Sequence, residues 1–298
     1  MTNISPGDVF DQVSKAVPEE FHKNIIVIGS LAAGYHFFGD NKSLQVRTKD
    51  VDCLLSPHIQ AVGSGKLIVE KLLEIGWEHK TTGDFTKPGS DATPNDELPL
   101  IRLYPPGSKD WFIEFLVEPE EDHDGVQWER IELSSGYYVL CGFRFLRISN
   151  YKPKKAEAGI YYARPEMMVL ANILEHPEIK PDKMSSLFEG RAIKRSNKDL
   201  GRVLAIARLS KEEHMKEWPD LWEDAVRSRI SEKLYPLMKN AGNGIRELIE
   251  NKDDMEEAVH TCNYGLLASQ TVKTTQLEVT AKRLLYDVII PFENRFKK

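Results

Sequence analysis

The chain has 298 residues, 41% hydrophobic and 29% charged, the make-up of an ordinary globular protein with length enough for one large core or two modest ones. A formal net charge of −6 excludes a generally basic nucleic-acid coat and leaves only a local basic groove for such a partner. No apolar stretch is long enough to span a membrane and no signal-peptide pattern opens the chain. The three cysteines, Cys53, Cys141 and Cys262, are odd in number and lack metal-ligand spacing, so a cytoplasmic location with no membrane partner and no disulfide framework is expected.

Apolar residues at Val9, Phe10, Val13, Ala16 and Val17 predict a short amphipathic helix over 8–17, opened by Ser5-Pro6 and packed on a sheet. Residues 24–28 form a β-branched apolar run, as a buried strand should. Gly29-Ser30 ends it, and Leu31-Ala32-Ala33-Gly34 leads into a helix carrying Tyr35, His36, Phe37 and Phe38. His36 reads as a packed residue among aromatics. A turn is expected at Gly39-Asp40-Asn41-Lys42. The next strand is Asp50-Val51-Asp52-Cys53-Leu54-Leu55. Residues i and i+2 of a strand share a face, so Asp50 and Asp52 project together while Val51, Cys53 and Leu55 point the other way. Two adjacent carboxylates repel unless a cation or a shared proton lies between them, and the pair asks for a metal.

Gly63-Ser64-Gly65-Lys66 fails the phosphate-loop pattern, because Leu67 stands where a hydroxyl is needed and the first glycine is missing. It reads as a loop opening a helix over 66–75, with Leu67, Ile68, Leu72, Leu73 and Ile75 on the buried side. Residues 77–99 are polar and rich in Gly, Pro, Thr and Asp, a hairpin-like excursion. Strands are expected over 100–104 and 111–117 around the turn Pro105-Pro106-Gly107-Ser108. Glu114 is a lone charge inside the second apolar run. Burying an unpaired carboxylate is costly, so it needs a cation, either an Arg or Lys partner or a metal. Glu118 shares its face but lies at the strand end before Pro119, where water is expected to reach it.

Short strands follow over 128–133 and 137–140. The basic turn at 151–155 marks the expected boundary between a sheet-bearing half, 1–150, and a helical half, 151–298. Helices are expected over 165–174, 198–207, 211–238 with a break at Pro219, 244–250, 253–267 and 277–290.

Gly29-Ser30, a helix, then Arg47-Thr48-Lys49-Asp50-Val51-Asp52 resembles the DNA-polymerase-β-type nucleotidyltransferase superfamily. Within it the likeness is to the AbiEii-like group, which includes the nucleotidyltransferase toxins of type IV toxin–antitoxin pairs. The likeness covers 24–209. It implies an α/β (α+β) protein, a mixed-sheet nucleotidyltransferase core with flanking helices followed by a helical C-terminal domain. It further implies that Gly29 and Ser30, with Arg47 and Lys49, bind the triphosphate, and that Asp50, Asp52 and a third carboxylate, Glu114, hold Mg²⁺. Lys198-Asp199-Leu200 matches a later family motif in which a Lys-Asp pair holds phosphate and aligns catalysis. Two positions depart from the pattern: Asn172 stands where the family has a helical lysine, and Gly201 or Arg202 where it has an aspartate. Without the family, Arg191, Lys194, Arg195 and Lys198 read as a solvated basic face with Asp199 as a helix cap.

The implied reaction is transfer of a nucleoside monophosphate from a nucleoside triphosphate to an acceptor hydroxyl, on a tRNA 3′ end, a protein or a small molecule, with a cognate antitoxin as a partner. The alternative is a catalytically silent RNA- or protein-binding module of the same fold. Retention of a candidate third carboxylate favours the enzyme.

Overall fold

The structure is a computed structural model and describes residues 2–39, 41, 44–81, 87–120, 123, 125–176, 184, 187–188, 189–197 and 198–297. Parts of the expected turn at 39–42 and of the excursion at 77–99 lie outside them. The strands are β1 (Thr2–Ile4), β2 (Ile25–Val27), β3 (Val46–Thr48), β4 (Asp50–Leu55), β5 (Glu78–His79), β6 (Arg102–Tyr104), β7 (Phe112–Val117), β8 (Val126–Leu133), β9 (Gly136–Phe143), β10 (Lys154–Lys155) and β11 (Tyr161–Tyr162). The helices are α1 (Pro6–Ala16), α2 (Gly29–Phe38), α3 (His58–Glu74), α4 (Leu146–Ser149), α5 (Pro165–Glu175), α6 (Arg195–Leu209), α7 (Glu212–Met215), α8 (Trp218–Arg229), α9 (Tyr235–Met238), α10 (Asn243–Glu250), α11 (Lys252–Asn263), α12 (Thr274–Leu284) and α13 (Ile290–Arg295).

One mixed sheet carries the order β10-β11-β2-β4-β7-β6-β5, with β9 paired to β7 and β8 to β9, while β1 and β3 form a separate ribbon. β4 runs antiparallel to β2 and parallel to β7. The alternation read from the sequence holds on the central strands: Val51, Cys53, Leu55, Ile113, Phe115 and Val117 are fully buried on one face. Each such aliphatic or aromatic side chain contributes about 1.5–3 kcal/mol on burial. α3 covers this face through Ala61, Ile68, Val69 and Leu72.

That helix corrects the expected loop at Gly63-Ser64-Gly65-Lys66, which lies wholly within α3. Gly65 is there for contact: a Cβ would stand 2.8 Å from Leu55 Cδ1. Ser64 Oγ donates to the Gln60 carbonyl at 2.7 Å, which silences its hydroxyl inside the helix. Leu67 and Ile75, expected on the buried side, are 56% and 44% exposed.

Beyond residue 150 the sheet continues. β10 pairs with β11, and β11 runs parallel to β2, so Tyr162 still belongs to the sheet and the helices start at Pro165. A single buried apolar cluster runs from Ile4 to Phe296 through both halves of the chain. The expected helix over 211–238 is four short pieces, and Pro219 sits in the first turn of α8, where its missing N–H costs nothing. His36 is packed edge-on to Phe37 at 5.0 Å. Burial first, then Lys154, pushes its pKa down to about 4, so it is neutral at physiological pH. Among the described residues no helix is long and apolar enough to cross a membrane.

Glu118 is buried rather than water-facing at the strand end. Its Oε2 accepts from Ser56 Oγ at 2.5 Å and from Asn150 Nδ2 at 3.2 Å, tying β7 to the segments after β4 and α4. Glu118→Ala takes the acceptor from the buried Ser56 hydroxyl and leaves Asn150 Nδ2 only its bond to Ser56 Oγ, so a stability loss of about 1–3 kcal/mol is expected in denaturant titration, with nucleotide binding retained. Weakened nucleotide binding at unchanged stability would instead move Glu118 into the site.

Candidate active site

β4 presents Asp50 and Asp52 on the face opposite α3, and β7 lies beside it in parallel register with Asp50 opposite Phe112 and Asp52 opposite Glu114. Thr48, one residue before Lys49, donates its hydroxyl to Asp50 Oδ1 at 2.6 Å and accepts the Asp50 N–H at 3.3 Å, which fixes that carboxylate. On the other side, the Ile28 N–H donates to the Asp52 carbonyl at 2.9 Å and brings the start of α2 against β4. Gly29 opens α2 at φ +75°, and a Cβ there would stand 2.8 Å from Asp52 Oδ2. Backbone conformation and contact with the acidic pair both demand glycine at this position.

The helical half adds two further cations, Lys198 and Arg202, to Arg47 and Lys49. A cavity of about 220 Å³ is lined by Ser30, Arg47, Thr48, Lys49 and Asp50 on one side and by Phe188, Lys198, Arg202, Thr261 and Cys262 on the other. Burial acts most strongly on Asp50, and upward. Lys198, the Thr48 hydroxyl and Arg202 outweigh it together and hold the Asp50 pKa below the usual carboxylate value. Asp52 goes the other way: burial first, then the Asp50 and Glu114 carboxylates, push it up to about 8 against the pull of Arg202 and Lys198. Close carboxylates with pKa values driven apart recur at functional sites in clefts and in structural ion-pair networks alike.

Glu114 faces Arg102, its partner across β6, and Arg102 Nε donates to Glu114 Oε2. Both a carboxylate neighbour and a cation partner are therefore present. Among the described residues no three His, Cys, Asp or Glu side chains gather closely enough to hold a metal ion. Asp50 and Asp52 supply hard carboxylate oxygens on one face with their charges in conflict, a donor set suited to Mg²⁺, while Glu114 beside them is held by Arg102.

The other sequence-derived residues divide. Ser30, Arg47, Lys49 and Lys198 line the cavity with Asp50. Arg47 is also tied down, with Nε donating to Asn3 Oδ1 at 2.9 Å and its guanidinium 5.7 Å from the Tyr264 ring centroid. Asp199 does not line the cavity and is not the helix cap. It lies within α6, 4.0 Å from Arg202. The cap of α6 comes from outside the helix, where Glu257 Oε2 accepts the Lys194 N–H and Asn197 Nδ2, both at 2.8 Å. Asn172 turns back on its own helix, donating to the Met168 carbonyl at 2.6 Å, and reaches no anion site. Arg191 and Lys194 pair with Glu256 and Asp254, as a solvated basic face would.

Sequence reasoning missed Thr48 and Arg202. The signal for Arg202 was its spacing of four from Lys198, which puts both on one side of a helix.

No protein-family model matches the chain, and no curated protein does. Among solved structures, an antigenic nucleotidyltransferase-like protein from Paracoccidioides brasiliensis is similar at 13% identity and a TM-score of 0.33, over 79% of this chain and 94% of that one. The STING-associated CdnE c-di-GMP synthase from Capnocytophaga granulosa is similar at 13% identity and a TM-score of 0.24, over 98% of this chain and 83% of that one. The AbiEii-like group has no representative in this pair. At such scores the likeness is loose, and the chemistry of the site rests on its own residues.

Proposed function

We propose that the chain is a Mg²⁺-dependent nucleotidyltransferase that moves a nucleoside monophosphate from a nucleoside triphosphate to an acceptor hydroxyl. The observation that carries the reading is the acidic pair Asp50 and Asp52, set between a glycine turn that touches Asp52 and two cavity-lining cations, Lys198 and Arg202.

Asp50 and Asp52 would hold the metal, with Glu114 as the third ligand once it lets go of Arg102. When bound, Mg²⁺ supplies Lewis-acid stabilisation of the charge that develops on the phosphoryl oxygens. Thr48 keeps the Asp50 carboxylate in one orientation. Ser30 and the free N–H groups of the first turn of α2 receive the β- and γ-phosphates, since the start of a helix is an anion site. Lys198 and Arg202 neutralise the leaving pyrophosphate from across the cavity. Arg202 thus adds positive charge at or beside the place, Gly201 or Arg202, where the family pattern has an aspartate.

Thermal melts with a panel of nucleoside triphosphates and Mg²⁺ test the reading. A ligand at a hundred times its dissociation constant adds about 2.7 kcal/mol. Label transfer from the stabilising triphosphate into total RNA or total protein then identifies the acceptor. Ser30→Ala is expected to weaken triphosphate binding in calorimetry by about 0.5–1.5 kcal/mol, one ordinary hydrogen bond, and unchanged affinity would remove the hydroxyl from the site. A toxin or defence role, with a cognate antitoxin, belongs to the same proposal and predicts growth arrest on expression that Asp52→Asn relieves. The silent RNA- or protein-binding module is supported by one observation, the engagement of Glu114 with Arg102. Absence of any triphosphate-dependent shift would select it.

A further inference from the structure

Glu114 is the middle member of a row that crosses three strands. On one side it stands opposite Asp52 of β4, in parallel register, and on the other opposite Arg102 of β6, in antiparallel register. Neighbouring strands lie about 4.8 Å apart, so Asp52 and Arg102 are each one strand spacing from Glu114, in opposite directions. A glutamate side chain reaches either neighbour by rotating its own bonds, with no change in the backbone. Here the carboxylate lies with Arg102, whose Nε donates to Oε2.

The backbone around that choice is fixed. The Arg102 carbonyl accepts the Lys80 N–H at 2.8 Å, and the Ile101 carbonyl accepts the Phe115 N–H at 3.2 Å. β6 is therefore held from both sides, and side chains are what is left to move. The Arg102 guanidinium also lies 5.9 Å from the Phe112 ring centroid, so it keeps a seat on that ring when the carboxylate leaves. The ion pair is open to water, with the Arg102 and Glu114 side chains 33% and 16% exposed, which makes it a modest attraction. Asp50 has no such freedom, because the Thr48 hydroxyl fixes its carboxylate at 2.6 Å. Among the described residues Glu114 is the one of the three carboxylates in a direct ion pair.

We propose that Arg102 is a positioning residue for the metal site: it holds the third carboxylate away from the acidic pair, and Mg²⁺ binding requires Glu114 to pass from Arg102 to the metal. The inference rests on the nucleotidyltransferase reading above. It makes metal binding and triphosphate binding depend on each other. Free Mg²⁺ has to win Glu114 from Arg102, so its apparent affinity is reduced by the fraction of chains in which Glu114 is released. Mg²⁺ carried by a triphosphate gains the phosphate contacts with Ser30, Lys198 and Arg202 as well, and these complete the exchange. The acidic pair is thereby kept from firm metal binding until the nucleotide arrives.

The test is calorimetric titration of the full chain with Mg²⁺ without nucleotide, beside thermal melts in chelator, in saturating Mg²⁺ and in Mg²⁺ with triphosphate. Arg102→Gln is expected to bind Mg²⁺ at least fivefold more tightly than wild type. In chelator it is expected to melt below wild type, because three close carboxylates then lack the counter-cation. Saturating Mg²⁺ is expected to recover that loss, which a merely structural ion pair would not allow. Arg102→Lys keeps the charge and is expected to fall between the two, since an ammonium is more strongly hydrated and releases a carboxylate more readily. It carries the test if Arg102→Gln does not fold. In the double variant Arg102→Gln with Glu114→Gln, the gain in Mg²⁺ affinity is expected to vanish. Mg²⁺ affinity unchanged or weakened in the Arg102 variants, a melting loss equal in chelator and in Mg²⁺, or a gain that survives in the double variant overturns the role of Arg102 alone. Absence of any triphosphate-dependent shift in wild type overturns the reading beneath it.

Discussion

Asp52→Asn is expected to lower nucleotidyl transfer by at least about 10²–10³-fold and, in chelator, to raise the melting temperature of the protein. Both effects come from the same crowding. Burial, then Asp50 and Glu114, push the Asp52 pKa up to about 8 in the folded chain. The folded state therefore holds the proton more tightly than the unfolded chain. Stability is fullest below the ordinary carboxylate pKa and drains away as the pH rises towards 8. Asparagine has no charge to lose, so the variant's advantage should be small at pH 5 and larger at pH 8, at about 2–4 °C for each kcal/mol gained. Mg²⁺ should narrow the gap by stabilising the wild type and leaving the variant unmoved. Transfer retained in Asp52→Asn would remove the metal assignment, and a variant less stable at pH 8 than at pH 5, relative to wild type, would show that the carboxylate is not electrostatically strained.

Gly29→Val should abolish measurable triphosphate binding and lower the melting temperature by several degrees. Two costs add at this position. The left-handed conformation at φ +75° costs an L-residue about 1–2 kcal/mol, and a branched side chain cannot relieve it. The new Cβ would also stand 2.8 Å from Asp52 Oδ2, so either the turn or the carboxylate has to move. Overpacking of this kind costs about a further 1–3 kcal/mol. Gly29→Ala should fall between wild type and valine, because it meets the same Cβ contact without the branch. Calorimetry with the stabilising triphosphate reads the binding, and wild-type affinity in Gly29→Val would make the turn purely structural.

The acidic pair was legible because its information is local. Asp50 and Asp52 are two residues apart in a run that alternates with Val51, Cys53 and Leu55, and a strand turns that spacing directly into a shared face. Lys198 was legible through its place in a motif, and Arg202 through helical spacing that passed unused. Glu118 was misread for the opposite reason. Its neighbours in sequence, Pro119 and Glu120, suggest water, whereas its neighbours in space are Ser56 and Asn150. The glycines of α3 misled in the same way: Gly-Ser-Gly looks like a loop until Leu55 is seen to press against Gly65.

By itself the sequence determined the alternating strands β4 and β7, the glycine turn before α2 and the helical character of the chain from Pro165 onward. Each follows from a period of two or 3.6 residues, or from one residue's allowed backbone conformation, which are properties of a few consecutive residues. Only the tertiary structure decided that Glu114 would stand beside Asp52 and yet give its carboxylate to Arg102. It alone brought Arg202 to the cavity that Asp50 lines and carried the sheet past residue 150 through β11. Those choices join segments far apart in sequence, and they are settled by which surfaces can bury one another, a quantity no local pattern encodes.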